Sequence, residues 1–440
     1  MLTSVLTSSE MKRADPQVNE LVASDRYQVL KFQVFNRVLE LLELRGLRAE
    51  DLDGSVLREE ITRALAEVTS DEGIALNAGE RTRFSQDVYY EIIGLGPLEP
   101  LLQDPTVDDI TVNGPHRIYV EREGRLSRAA GRFRDAEHMM TIIQRIVSPI
   151  GRRVDEATPF VDARLADGSR VNIIIPPVAL DGPMISIRKA RAQALRANDF
   201  IRTGSLTTEM LSFLASAIRS RLNILVCGGT GSGKTTLMNM LSGFIGETER
   251  LVTIEDAAEL QLRQSHVVRL ETRPASSDGS REVSARDLVR NALRMRPDRI
   301  ILGEVRGAEA VDMLQAMNTG HDGSMSTIHA NSARDALARL ELLLGFGGLN
   351  GEPRTLRRYI ASSIQLVVQV QRLANGRRRI TSIGELTGIE GENYTLNPLF
   401  TFQESPPLSG IGEFVVNSQR PFYGFRLASV PETPASGWVS

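Results

Sequence analysis

The chain has 440 residues, 41% apolar and 24% charged, a globular balance with room for two or three domains. Its one cysteine rules out an internal disulfide framework, its apolar runs are far too short to span a bilayer, and a formal net charge of −3 argues against a chain built to coat nucleic acid or an anionic membrane. The opening MLTSVLTSSEMKR has no charged stretch ahead of an apolar core, so no secretory signal is expected and a cytoplasmic location is.

Residues 1–24 are polar and mixed and are expected to be disordered. From 25 to 72 the pattern is helical: Leu30, Val34, Val38, Leu41 and Leu42 share one face, and Leu57, Ile61, Leu65 and Val68 repeat the spacing. Residues 73–188 change to a mixed texture and predict a compact α+β domain. DDITVNGPHRIYVEREGRL reads as a meander of strands and turns, 136–148 as an amphipathic helix, and VDARLADGSRVNIIIPPV as two strands about an Asp-Gly turn. The Arg-rich, Gly-punctuated stretch 189–206 reads as a linker. From 207 to 389 strands and helices alternate, which predicts an α/β domain with a doubly wound, mostly parallel sheet. The proline-rich 390–440 reads as a C-terminal extension with a disordered end.

Of 52 basic residues only four are lysines, Lys12, Lys31, Lys189 and Lys234. Positive charge here is written as arginine by default, so a lysine marks a specific need for a compact ammonium. Lys234 lies in GGTGSGKTT, which matches G-x-x-x-x-G-K-[ST] in full: Gly228, Gly229, Thr230, Gly231, Ser232, Gly233, Lys234, Thr235 and Thr236. A short apolar strand, 223–227, precedes the loop and a helix follows it. Glycines let backbone N–H groups curl around phosphate oxygens, and the helix N-terminus adds the positive end of its dipole. Lys234 is expected on the β- and γ-phosphates of ATP, and Thr235 on Mg²⁺.

Further segments place polar groups directly after an apolar run, where strand ends of a doubly wound sheet meet the ligand. In RLVTIEDAAEL a strand ends at Glu255, placed to activate water, and Asp256, placed equally to cap a following helix. In PDRIILGEVRG a strand closes on Glu304, standing where a Walker B carboxylate would hold Mg²⁺ or its water shell. Arg306 there reads either as a phosphate partner or as half of an ion pair. In NTGHDGSMSTIHANSARDAL, His329 ends a strand and is placed to sense the γ-phosphate, while His321 reads as structural. Neither histidine has partners at zinc spacing.

Together these segments resemble the secretion ATPases of type II and type IV secretion and type IV pili, in the family order of Walker A, Asp box (TIEDAAEL), degenerate Walker B (IILGEVRG) and His box (TGHDGSMSTIHA). GLGPLEPLL, QRIVSPIGRRVDE, HVVRLETRP and RDLVRNALRMRPDRIILGEVRGAEA are similar to the Tad/Flp pilus branch, the CpaF-like ATPases, and the likeness spans residues 85 to 405. The resemblance implies a homo-hexameric motor whose N-terminal α+β domain is joined to a RecA-like domain. It implies catalytic roles for Glu255 and Glu304, and arginines of the N-terminal domain at the phosphates, here Arg170 and Arg188 ahead of Arg164. It also implies inner-membrane platform proteins as partners, while the slightly acidic charge, 5% aromatic content and lack of an aromatic–basic cluster argue against nucleic acid. Two other classes fit a P-loop alone: a nucleotide-binding switch without turnover, which needs neither glutamate, and a RecA-like nucleic-acid translocase, which needs a basic groove with stacking aromatics.

Overall fold

The computed structural model describes residues 25–122, 124–190, 195–273, 281–349, 351–417 and 421–427. The two stretches expected to be disordered, 1–24 and the end of the chain beyond 427, lie outside the described residues. The chain divides into two compact units, Met1–Ala192 and Gln193–Ser440.

Among the described residues, the first unit opens with three helices, α1 (Asp25–Leu44), α2 (Gly54–Asp71) and α3 (Ala78–Ile93). Each carries apolar residues at helical spacing, and these faces meet in one core: Leu30, Val34 and Val38 with Leu57 and Ile61 and with Phe84, Val88 and Ile92. The third helix lies beyond residue 72, where the sequence pattern suggests the helical part ends. Its Asn77–Glu80 capping box gives it a defined start.

A short helix α4 (Glu99–Gln103) leads into strands β1 (Asp109–Asn113), β2 (Ile118–Arg122) and β3 (Arg125–Arg128). Helix α5 (Ala136–Val147), capped by Asp135, and strands β4 (Phe160–Arg164), β5 (Arg170–Ile174) and β6 (Met184–Arg188) complete the unit. The sheet order is β3-β2-β1-β6-β5-β4, with every pairing antiparallel. Alternation sends Ile110, Val112, Val171, Ile173, Ile185 and Ile187 to one face, buried with Met139, Ile142 and Ile143 of α5. The opposite face carries Arg164, Arg170 and Arg188, paired directly across three neighbouring strands.

In the second unit, α6 (Ala197–Arg202) lies within the stretch read as a linker, and α7 (Thr208–Arg219) follows, capped by Thr207. Then come β7 (Ile224–Gly228), α8 (Lys234–Ser242), β8 (Leu251–Glu255), β9 (Val267–Glu271), α9 (Ala285–Ala292), β10 (Arg299–Val305) and α10 (Glu309–Asn318). The chain continues through β11 (Met325–His329), α11 (Ala333–Phe346), α12 (Pro353–Ser363), β12 (Leu366–Arg372), β13 (Arg378–Glu390), β14 (Asn393–Glu404), β15 (Gly412–Val416) and a last turn of helix, α13 (Gly424–Leu427).

The nine strands run β15-β14-β13-β12-β7-β11-β10-β8-β9. From β12 to β9 all neighbours are parallel, and β13 to β15 add an antiparallel flank. The fold is therefore α/β and doubly wound, with cores on both faces. Ile224 and Val226 pack with Leu237 and Leu241 of α8, while Leu225 and Cys227 pack with α10 and α11 on the other side. Among the described residues no helix is long and apolar enough to cross a membrane.

One charged pair is built into the base of this sheet. Arg299 is 1% exposed, and its Nε and one terminal nitrogen each donate at 2.8 Å to the two oxygens of Glu249. A second terminal nitrogen donates to the Ile218 carbonyl at 2.8 Å. Removing one partner of such a pair strands a buried charge, which costs about 3–5 kcal/mol. Glu249→Ala is expected to lower stability by that amount in urea unfolding of the full chain, and a loss below about 1 kcal/mol would contradict the assignment.

Candidate phosphate-binding site

The phosphate loop leaves β7 at the centre of the sheet, and its glycines are not equivalent. Gly231 and Gly233 take φ of +66° and +102°, where side chains are strained. Gly228 is required by close approach instead. A Cβ there would lie 2.2 Å from the Val370 carbonyl oxygen of β12 and 2.6 Å from Ser232 Oγ. A Cβ on Gly229 would meet nothing within 4 Å. The glycines thus do not all serve phosphate approach: Gly228 makes room for a neighbouring strand.

Lys234 opens α8, folds back into the loop and is 8% exposed. Its Nζ donates to the carbonyls of Gly228 at 3.0 Å and Gly229 at 2.9 Å. Burial pulls its ammonium below the ordinary lysine range. Thr235 and Thr236 follow on the first turn of α8.

Beside the loop runs a line of hydrogen bonds that joins three strand ends. His329, last residue of β11, meets Thr230 Oγ1 of the loop through Nε2 at 2.9 Å and Glu304 Oε1 through Nδ1 at 2.9 Å. A carboxylate only accepts, so Nδ1 carries a proton toward Glu304. Glu304 Oε2 accepts from Arg306 at 2.8 Å, and the other terminal nitrogen of Arg306 reaches Asp256 at 2.8 Å. Arg306 is therefore one half of a two-way ion pair. No helix follows Asp256, so its carboxylate serves this pair and not a helix cap. Burial alone would raise the Glu304 carboxyl, yet the bonds from Arg306 and His329 hold it below the usual glutamate range.

Glu255 sits in the opposite environment. It ends β8, next to β10, and is 5% exposed. Oε1 accepts from the backbone N–H groups of Glu259 at 2.8 Å and Leu260 at 2.9 Å, while Oε2 is buried with no hydrogen-bond partner among the described residues. Burial pushes this carboxyl up, against the pull of the two N–H groups. The space it occupies exists because residue 303 is glycine: a Cβ there would lie 2.8 Å from Glu255 Cγ.

A glycine-rich loop between a strand and a helix, with two carboxylates and a histidine on neighbouring strand ends, gathers candidate phosphate-binding and water-activating groups at one place. Residues 91–385 match the family described as type II/IV secretion system protein. The chain belongs to that family. A putative conjugal transfer protein of Mycobacterium tuberculosis is 41% identical over 307 residues, covering 68% of this chain and 87% of that protein. The conjugal transfer protein TrbB of Rhizobium radiobacter is 35% identical over 294 residues, 66% of this chain and 86% of its own length. Among solved structures, the VirB11 ATPase of the Brucella suis type IV secretion system, crystallised with sulphate, is 30% identical over 68% of this chain and 97% of its own, with a TM-score of 0.37.

Within this secretion-ATPase family member, Lys234, Glu304, His329 and the loop residues gather at one place, with Glu255 on the strand next to that of Glu304. Arg170 and Arg188 belong to the other unit, where Arg188 Nε donates to Asp109 at 3.1 Å. Sequence reasoning misses the link from Thr230 to His329 and misses Arg378, whose Nε donates to the Gly231 carbonyl at 2.9 Å from 147 residues down the chain. No local pattern marks either contact; only the strand order does.

The two leading glycines separate packing from phosphate approach. Gly228→Ala is expected to lower stability by about 2 kcal/mol or more in thermal or urea unfolding, because a backbone oxygen cannot yield as a side chain can. Gly229→Ala, entering open space, should cost less than about 1 kcal/mol. Equal effects would remove the close-approach explanation.

Proposed function

We propose that this chain is an ATP-hydrolysing motor that works as a homo-hexamer and powers pilus assembly or secretion of the Tad type through inner-membrane platform proteins, from the cytoplasmic face. The observation that carries the reading is the pair of glutamates in opposed environments, Glu304 held ionised and tied through His329 to the phosphate loop, Glu255 buried and raised. A non-hydrolysing switch has no use for that division of roles.

The roles follow from the chemistry of each group. The loop N–H groups and Lys234 hold the phosphates. The ionised state of Glu304, and a threonine hydroxyl on the first turn of α8, fit a Mg²⁺ site made by Thr235 and Glu304 directly or through water. Bound there, Mg²⁺ supplies positive charge against the phosphate oxygens. Glu255 takes a proton from the attacking water. Its raised proton affinity brings it toward neutrality, where a general base works best. His329 reads the occupancy of the loop through Thr230 and relays it to Glu304. Arg170 and Arg188 are assigned the neutralisation of charge on the transferred phosphoryl group, a role guanidinium groups are suited to.

The test is Mg²⁺-dependent phosphate release with oligomer mass recorded in parallel. Wild type is expected to turn over as a hexamer. Lys234→Ala should lose nucleotide binding. Glu255→Gln should keep Mg–ADP binding and lose turnover by roughly 100-fold or more. A Glu255→Gln enzyme within threefold of wild type would remove the base assignment. Arg170→Ala and Arg188→Ala should lower kcat while leaving ADP affinity nearly unchanged; unaltered kcat in both would sink their role. A base must be deprotonated to act, and burial raises Glu255. In wild type, kcat should therefore fall as pH drops through a midpoint above the ordinary glutamate range. A midpoint at or below that range would count against Glu255. If wild type binds ATP but releases no phosphate in any assembly state, the switch reading replaces the motor.

A further inference from the structure

The phosphate loop is also held from a side that the mechanism above does not use. Strand β13 opens with two adjacent arginines that reach in different directions. Arg378 Nε donates to the Gly231 carbonyl at 2.9 Å, and its Cδ lies 3.4 Å from where a Cβ on Gly233 would be. Arg379 donates to the Gly204 carbonyl at 2.7 Å, with its guanidinium 4.7 Å from the centre of the Phe402 ring. Between these contacts the turn after α6 is bonded to the same strand. Ile380 N donates to the Ser205 carbonyl at 2.9 Å, and Ser205 Oγ donates to the Arg378 carbonyl at 2.8 Å. The start of β13 therefore joins the phosphate loop on one side to residues 204–205 on the other.

The bond to Gly231 does more than brace the loop. In a trans peptide the C=O and N–H point in opposite directions. Drawing the Gly231 carbonyl outward to Arg378 turns the N–H of Ser232 inward. There it meets the Gly229 carbonyl at 3.4 Å, a distance at the limit of a hydrogen bond. That carbonyl already accepts from Lys234 at 2.9 Å. The Ser232 N–H is thus aimed at the loop interior and weakly engaged, and a phosphate oxygen, being charged, is the better acceptor.

We propose that Arg378 is a positioning residue. It sets the Gly231–Ser232 peptide so that the Ser232 N–H faces a bound phosphate, and together with Arg379 it passes nucleotide-dependent movement of the loop to the turn at 203–206. The proposal rests on the nucleotide reading above. A purely structural brace would affect stability alone. A positioning residue affects nucleotide affinity and the response of a distant turn.

Hydrogen exchange of the full chain, with and without saturating Mg–ADP, separates these cases when wild type is compared with Arg378→Met, which keeps the stem and loses the donor. Mg–ADP is expected to slow exchange at 228–236 in both proteins and at 203–206 in wild type only. Calorimetry should show Mg–ADP binding roughly tenfold weaker in Arg378→Met, as for loss of a bond to a charged donor. Arg378→Lys, with the charge but not the Nε–H, serves as the second variant should Arg378→Met melt early, and the same loss of response at 203–206 is expected. An equal response at 203–206 in wild type and variants, or none in wild type, overturns the coupling. Unchanged Mg–ADP affinity in both variants overturns the positioning role. Absence of any effect of Mg–ADP at 228–236 in wild type refutes the nucleotide reading itself, and the proposal with it.

Discussion

The site depends on one fact of topology: β11 lies between β7 and β10. The phosphate loop leaves the end of β7 and Glu304 stands near the end of β10, so they lie two strands apart, beyond the reach of a direct bond between short side chains. Whatever ends β11 must sit between them, and His329 ends it. An imidazole suits that position because its two nitrogens bond on opposite sides of a rigid ring. One nitrogen meets the loop hydroxyl and the other the carboxylate, at 2.9 Å each. The loop, Glu304 and, through Arg306, Asp256 at the end of the next strand become one hydrogen-bonded unit.

The same geometry explains why two glutamates on neighbouring strands behave differently. Glu304 has a cation on one oxygen and an N–H donor on the other, and these outweigh its partial burial. Glu255 has two backbone donors on one oxygen and none on the other, and burial wins. Gly303 makes the second case possible, since any side chain there would occupy the space that Glu255 fills. Residue type is identical; solvation and partners shift the two carboxyls in opposite directions.

Much of this is legible in the amino-acid sequence. The phosphate loop is a local run whose spacing carries its own mechanism, and the polar residues after apolar runs, Glu255, Glu304 and His329, fall at strand ends as their pattern suggests. What stays hidden has definable causes. The bond from Thr230 to His329 joins residues 99 apart and needs the strand order. Helix α6 has six residues, too few to show a helical period. Strand β14 contains Pro398, which suggests a tail; yet Pro398 faces Gly384 beside a register shift, where a proline is tolerated. Its Leu399 and Phe400 belong to the sheet's core. Asp256 and Arg306 are each visible as charged residues, but their pairing is not, because it crosses from the end of one strand to the end of the next.

The antiparallel flank has a consequence for how far the loop's strand stands from a sheet edge. With β13, β14 and β15 added, β7 is the fifth strand of nine and has four on either side. Sheets lose structure from their margins inward, since marginal strands have half the pairing of interior ones. Without the flank, β12 would be the rim and the phosphate loop's strand would stand one place from it. With it, four strands stand between either rim and Gly228 along the sheet. The late, proline-bearing segment that the sequence pattern sets apart as an extension thus moves the strand carrying the glycine-rich loop from beside the rim to the middle of the sheet, with Arg378 at the start of β13 as the flank's direct contact with that loop.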